Sequence, residues 1–472
     1  VGRFLVAFAL VAVICWWVWL RLDREERDRA PAERTRALRW VLAYAILFRI
    51  LLLPAGFAGP DPATALARDL SGECTGFGKF LLYDNDVWRY LWDGHTAASG
   101  YSPYAFPPSV VDDDEKLTEG LLAEDLWWDV HDNLGFRALV TVYPPFAQLF
   151  FRVAHLVAPV SVLVLKLGAV AADLGVCWLL LVALGRLGLP RAGVVLYAWN
   201  PLVLKEVAGS GHFEPLMLLP TLAAVAWAAG GRGGLAAGSL AAATLVKLSP
   251  LALLPVLARR LRWRHALIGA GVLALGLAPH WRTLGGWLDT LRVYGGQWHF
   301  NSGPWALVRA GLDALGVGDS AAVASMVCRA GVVGVMIWVW RRDDCSPRAA
   351  YRGAYVILAA LVVLSPAVMP WYVMWALPFA ILAGSPAWAL FGMLSLLSYA
   401  FYAAEVEHVW WRVVEYGGLA AALVWERRRP APGVTPPAVP HRAGSRAEAS
   451  SAPRSVERRA GTECGSRWSP YH

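Results

Sequence analysis

The sequence predicts an all-α protein, a polytopic bundle of membrane-spanning helices with one large loop domain on the outer face. Three observations lead there. The 472 residues are 57% hydrophobic and 17% charged, with a mean hydropathy of +0.45, which is more apolar than a soluble core requires. Apolar runs close to the ~20 residues that cross a bilayer recur along the chain. Arginine clusters fall between those runs in a pattern that the positive-inside rule reads as a topology.

Taken in order, the first run is Phe4–Leu20, read as a retained anchor because a dense Arg/Glu stretch follows it and no small-x-small cleavage site does. Arg21 to Arg39 carries seven arginines and is assigned to the cytoplasm. These 39 residues form an N-terminal addition to a catalytic-sized transmembrane domain spanning 40–425. After the second run, Trp40–Phe57, the loop 58–137 holds fifteen Asp/Glu against five Lys/Arg and is placed outside. Further runs are Pro144–Ala158, Ser161–Leu184, Arg191–Leu204, Phe213–Ala229, Leu235–Leu257, His265–Thr283, Ala321–Trp340, Tyr351–Ser365, Trp371–Gly384, Pro386–Ala404 and Val409–Trp425. Roughly thirteen crossings result. The count puts Arg259–His265, Arg341–Arg342 and Arg427–Arg429 inside but Arg186 and Arg191 outside. The tail, 426–472, has nine Arg against four acids and too little apolar content to fold, so it reads as a disordered basic cytoplasmic extension.

That tail carries +5 of the net +8, and no basic patch with stacking aromatics occurs elsewhere, which argues against nucleic acid. The six cysteines include no CxxC pair, so a zinc site is not expected.

Chemistry is expected in Tyr83–Pro108, YDNDVWRYLWDGHTAASGYSPYAFPP. A helix beginning near Asp86 would set Asp86, Arg89 and Asp93 on one face and stop at Gly94 or Gly100. Asp84 and Asp86 form a DxD pair suited to a divalent cation, Mg or Mn, on a phosphate, or to a general base with a supporting neighbour. The bland alternative is a solvated or helix-capping pair. Val142–Gln148, VYPPFAQ, returns the chain from the loop, with Tyr143 ahead of a double proline that starts a helix and Gln148 facing a partner helix or a cavity. Ala198–Pro215 interrupts two apolar runs with Lys205, Glu206, His212 and Glu214. Such a break lines a cavity or is a plain interhelical loop, and the span count places it inside, away from the outer loop. Lys247 and Asp173 lie within apolar runs, as an interhelical ion pair or a functional cavity would have them. On the outer side, His299 and Asn301 could reach an anionic leaving group, and Trp371, Tyr372 and Trp375 serve as interfacial belt or ligand contacts.

Five stretches in order, NDVWRYLWDGHTAASGYSPYAFPP, TVYPPFAQLFF, YAWNPLVLKEVAGSGHFEPL, LVKLSPLALLP and SPAVMPWYVMWALPF, resemble the bacterial multi-spanning glycosyltransferases of the GT-C superfamily. The resemblance is nearest to glycosyltransferase family 87 and related mannosyltransferase-like proteins, and more distant to the catalytic subunit of glycosylphosphatidylinositol mannosyltransferase I. It runs from about Trp40 to Trp425. It implies inverting transfer of a hexose such as mannose from a polyprenyl-phosphate-sugar donor to a lipid, glycan or protein acceptor on the outer face of the plasma membrane. It further implies a catalytic base in the first large outer loop, for which Asp86 is the match, with Asp84 as its neighbour or a metal ligand. Where relatives read His-x-Asp after GSG, this chain has His212-Phe213-Glu214, which keeps the charge and lengthens the reach. A sugar phosphodiester has a good leaving group, so the reaction needs a base and cations on the departing phosphate. Arg89 and His299 are candidates for the cations, and the alternative for Arg89 is pairing with Asp86 or Asp93. Two other classes stand beside this one: a transporter or flippase of lipid-linked sugars, with Lys247 and Asp173 on its path, and a non-catalytic envelope scaffold.

Overall fold

The structure, a computed structural model, describes residues 2–28, 31–57, 61–72, 86–401 and 406–428. Among them the fold is all-α, with a single isolated β-bridge between Phe300 and Ala367. The elements that place the site are α1 (Gly2–Asp28), α2 (Pro31–Leu52), α3 (Pro62–Leu70), α4 (Asp86–Ala98), α5 (Glu115–Leu121), α6 (Asp125–Asp132), α7 (Pro145–Val157) and α8 (Val162–Arg186). There follow the one-turn helices α9 (Val195–Ala198) and α10 (Pro201–Leu204), a π-turn over Lys205–Gly209, α11 (Glu214–Ala229), α12 (Gly233–Val246), α13 (Leu254–Ala258), α14 (Trp263–Leu277) and α15 (Leu284–Gln297). The chain closes with α16 (Pro304–Ala314), α17 (Ser320–Arg342), α18 (Pro347–Val363), α19 (Leu377–Ala383), α20 (Ala387–Ser395) and α21 (Val409–Arg428).

Among the described residues, three helices are long and apolar enough to cross a membrane: Gly2–Glu26, Val162–Arg186 and Ser320–Arg342. Other predicted runs fold as shorter pieces, for reasons visible in the sequence. The run Leu235–Leu257 divides at Lys247, where the backbone is extended and Pro250 follows, because a proline has no N–H for the carbonyl four residues back, that of Val246, and its ring would clash with it. Arg191–Leu204 breaks at Asn200, whose side chain accepts from Leu202 N–H and starts a new helix at Pro201. Pro144–Ala158 becomes α7, which lies along α4.

Buried polar bonds join these pieces. Asp69, at the end of α3, accepts from Ser161 Oγ at 2.6 Å and from the N–H groups of Val162 and Leu163 at 3.0 and 2.9 Å, so a carboxylate caps the positive end of α8. Lys166, one turn on, donates to Leu53 O and Ala55 O at 3.0 and 2.6 Å, closing carbonyls left open at the end of α2. Arg49 pairs with Asp173 across α2 and α8 and donates to Ala45 O and Ala198 O, each at 2.9 Å. This is the Asp–Arg tie between helices that the sequence offered for Asp173.

The arginine clusters share one end of the molecule. Glu26 accepts from the N–H groups of Arg191 and Ala192 at 2.9 and 2.8 Å, Arg348 donates to Leu187 O at 3.1 Å, and Arg260 holds Ser346 O at 3.1 Å and Asp343 Oδ1 at 2.7 Å. Arg191, with Arg186 close by through Gly185, therefore stands beside Glu26 near the end of α1, correcting the expected placement of these arginines on the opposite face.

Helix α4 meets α7 at Gly94. A Cβ there would come within 2.5 Å of Phe151 O, a distance no pair of packed helices tolerates. The helix thus runs through Gly94 and ends at Ala98, just before Gly100 with φ +90°. Gly94→Ala is expected to destabilise the protein by about 1–3 kcal/mol, read as a lowered thermal midpoint of the purified protein, whereas Gly285→Ala, which has open space around it, is expected to leave it within error.

Candidate active site

The site begins at the first residue of α4. Asp86 occupies the positive helix end, where a carboxylate is favoured, and Tyr143 Oη donates to its Oδ2 at 3.3 Å. Burial, reinforced by the charge of Asp86, holds the Tyr143 hydroxyl far above its ordinary range, so it stays a neutral donor. Asp84 lies outside the described residues.

One turn along, Arg89 Nε donates to Asp93 Oδ1 at 2.9 Å and Nη2 to Leu139 O at 3.0 Å. The other oxygen of Asp93 accepts from Gln148 Nε2 at 2.9 Å, which also donates to Thr141 Oγ1 at 2.9 Å. Gln148 thus faces the partner helix α4. The loop 139–143 is secured further by Tyr104 Oη on Tyr143 O at 2.7 Å and Trp287 Nε1 on Val142 O at 3.1 Å. The one-face arrangement of Asp86, Arg89 and Asp93 is realised, with Asp93 as a buried anchor and the other two on a cavity wall.

That cavity has a volume of about 240 Å³ and is walled by Asp86, Arg89, Tyr143, Lys247, Tyr294 and Trp371, among others. A second cavity of about 450 Å³ adjoins it, sharing Tyr143, Lys247, Tyr294 and Tyr372 and continuing between apolar side chains such as Leu248, Ala252 and Leu361. Lys247 stands on both walls. Tyr294 also does so, its hydroxyl bonded to that of Tyr372. Sequence reasoning missed Tyr294 because a tyrosine in RVYGGQW carries no signal until the chain brings it opposite Asp86.

The break at 205–214 lies directly behind this wall, correcting its expected distance from the outer loop. His212 Nδ1 is 3.3 Å from Tyr90 Oη of α4, and its ring stacks on Trp371 at 4.0 Å. Glu206 Oε2 lies 3.5 Å from His212 Nε2 and 3.2 Å from Lys205 Nζ, and Tyr399 Oη donates to Glu206 Oε1 at 2.8 Å. Glu214 pairs with Lys247. The break is therefore buried and is no surface loop. Its charges neutralise one another in the interior, and through Lys247 and Trp371 they hold two cavity residues in place. His299 and Asn301 stand elsewhere: His299 stacks on Trp305 at 4.5 Å, and Asn301 Nδ2 donates to Glu415 Oε2 at 2.7 Å.

A carboxylate and two cations around a cavity that opens onto an apolar groove form a candidate ligand site. Residues 81–262 match the MptA_B family, described as alpha-(1->6)-mannopyranosyltransferase, N-terminal domain. This segment, under half of the chain, carries Asp86, Arg89, Tyr143, His212, Glu214 and Lys247. The resemblance to mannosyltransferase-like glycosyltransferases is borne out over this segment. No curated protein matches the chain.

Beneath the site, His95 of α4 stacks on Trp127 at 3.6 Å, and burial lowers its pKa from 6.5 to about 4. Because the folded value lies below the unfolded one, this contribution to stability is complete above about pH 6.5 and declines as pH falls towards 4. Amide protection factors in α4–α6, each rate taken relative to the intrinsic exchange rate at the same pH, are expected to fall between pH 7 and pH 5, and His95→Gln to flatten that dependence.

Proposed function

We propose that the protein transfers a hexose, with mannose favoured by the family match, from a polyprenyl-phosphate carrier to an acceptor hydroxyl with inversion at the anomeric carbon. The observation that carries this reading is the junction at Lys247, where the polar cavity holding Asp86 meets the apolar groove. A sugar in the first and a prenyl chain in the second would put the connecting phosphate beside the Lys247 ammonium.

In that arrangement Asp86 takes the proton of the acceptor hydroxyl as its oxygen bonds to the anomeric carbon. The bond from that carbon to the phosphate oxygen breaks on the opposite side, its electron pair leaving with the lipid phosphate. Lys247 and Arg89 are the cavity cations that steady the departing charge. The Tyr143 hydrogen bond orients Asp86, and Glu214 positions Lys247. Trp371 and Tyr372 supply ring faces for the sugar. Asp86 is the single carboxylate on the described cavity wall, whereas a hard dication wants several oxygens. Asp84 would be the second protein ligand of any Mg or Mn held there.

The reading places this site on the outer face of the plasma membrane, opposite the arginine-rich end. Helix α7, packed along α4, then does not cross. The segment from Arg191 to Gly211 does, since twenty residues of near-helical rise cover about 30 Å.

Sugar transfer from short-chain polyprenyl-phosphate mannose and glucose to host lipid extract is the test, with wild type and Asp86→Asn compared. Asp86→Asn is expected to lose at least about 100-fold in rate, the scale of a lost general base, with its thermal midpoint retained. Equilibration of labelled lipid across vesicles by both proteins, without transfer, would establish the transporter instead.

A further inference from the structure

The arginine-rich end carries a crevice remote from the sugar-transfer site. It has a volume of about 600 Å³ and lies between α13, the start of α14 and the second half of α17, lined by apolar side chains including Leu254, Leu257, Leu261, Val333 and Ile337. Arg262, Trp263 and Trp340 form its rim, and the two tryptophans are 79% and 47% exposed. The geometry points to a binding site for an anionic phospholipid, with acyl chain in the crevice and phosphodiester on the arginine rim.

Three observations support this, together with the apolar helices that make the chain a membrane protein. First, the crevice is preformed. Arg259 Nη1 donates to Trp340 O at 2.8 Å, and the buried Arg260 guanidinium forks onto Asp343 and reaches Ser346 O at 3.1 Å, so its walls are clipped together at the base. Second, the rim has surplus positive charge. Arg260 uses the Asp343 carboxylate, and among the described residues Arg262, Arg264, Arg341 and Arg342, all exposed, make no ion pair. Third, Arg262, Arg264 and His265 sit at the start of α14, which has no acid in its first turn. Cations at the positive end of a helix are unfavourable, and a phosphate there reverses the sign of that interaction. Guanidinium groups and helix N–H donors together bind phosphodiester oxygens, while a neutral zwitterionic headgroup would bring its own ammonium into the arginine rim. Tryptophans at the rim sit at headgroup depth.

The test uses the full chain in phosphatidylcholine nanodiscs containing, in turn, photoactivatable phosphatidylglycerol or phosphatidylcholine with the reactive group on the acyl chain. Labelled peptides are mapped by mass spectrometry. Phosphatidylglycerol is expected to label 254–266 and 333–340 several-fold above phosphatidylcholine at equal mole fraction. Combined Arg262→Gln, Arg264→Gln and Arg341→Gln should abolish that preference, and Ala266→Trp, which fills the crevice and leaves the arginines, should reduce labelling there without changing it elsewhere. Equal labelling by both lipids, or a preference that survives both variants, overturns the proposal. Loss of the preference on adding inorganic phosphate at constant ionic strength also overturns it, by showing an anion site with no lipid component.

Discussion

The buried carboxylate of Asp93 is the point on which the site depends. It is held between Arg89 of its own helix and Gln148 of α7, and each partner also holds the loop 139–143, through Leu139 O and Thr141 Oγ1. One acid thus fixes a helix, a loop and a second helix together. Removing Arg89 would leave the carboxylate charge without compensation in a desolvated place, where such a loss costs several kcal/mol, and removing Gln148 would take away a hydrogen-bond donor from its other oxygen. Close contact at Gly94 lets this happen, since only a residue lacking Cβ allows α4 to approach Phe151 O. Asp86 and Tyr143 are positioned as the outer edge of this assembly.

The second constraint is neutrality within the interior. Lys205, Glu206, His212, Glu214 and Lys247 are ionisable groups among packed apolar helices, and the π-turn at 205–209 turns them towards one another. A π-turn costs regular hydrogen bonding, and its occurrence here fits the rule that irregular backbone at depth is enclosed by protein. One member of the group, Lys247, reaches past the others to the junction of the polar cavity with the apolar groove. Its ammonium is held there by the Glu214 carboxylate.

Much of this was legible in the chain. Composition and run length specified an all-helical apolar protein because the cost of burying backbone polar groups leaves few alternatives. The start of α4 at Asp86, the pairing of Arg89 with Asp93 and the helix start after the double proline are local, set by residues three or four apart or by proline itself. Placement of α7 was not legible. It packs on α4 at Gly94, a contact that spacing along the chain does not announce. Contacts of Glu26 with Arg191 and of Tyr90 with His212 likewise bring together stretches that a simple count had set apart.

The sequence by itself determined which residues could do chemistry and which helices they start, since these follow from side-chain type and short-range spacing. Tertiary structure alone decided that His212 stacks on Trp371, that Lys247 chooses Glu214 and leaves Asp173 to Arg49, and that Tyr294 faces Asp86 while His299 does not. Ion pairs and cavities join residues tens to hundreds of positions apart, and spacing along a chain carries no information about which of several equally charged partners will be close once the helices pack.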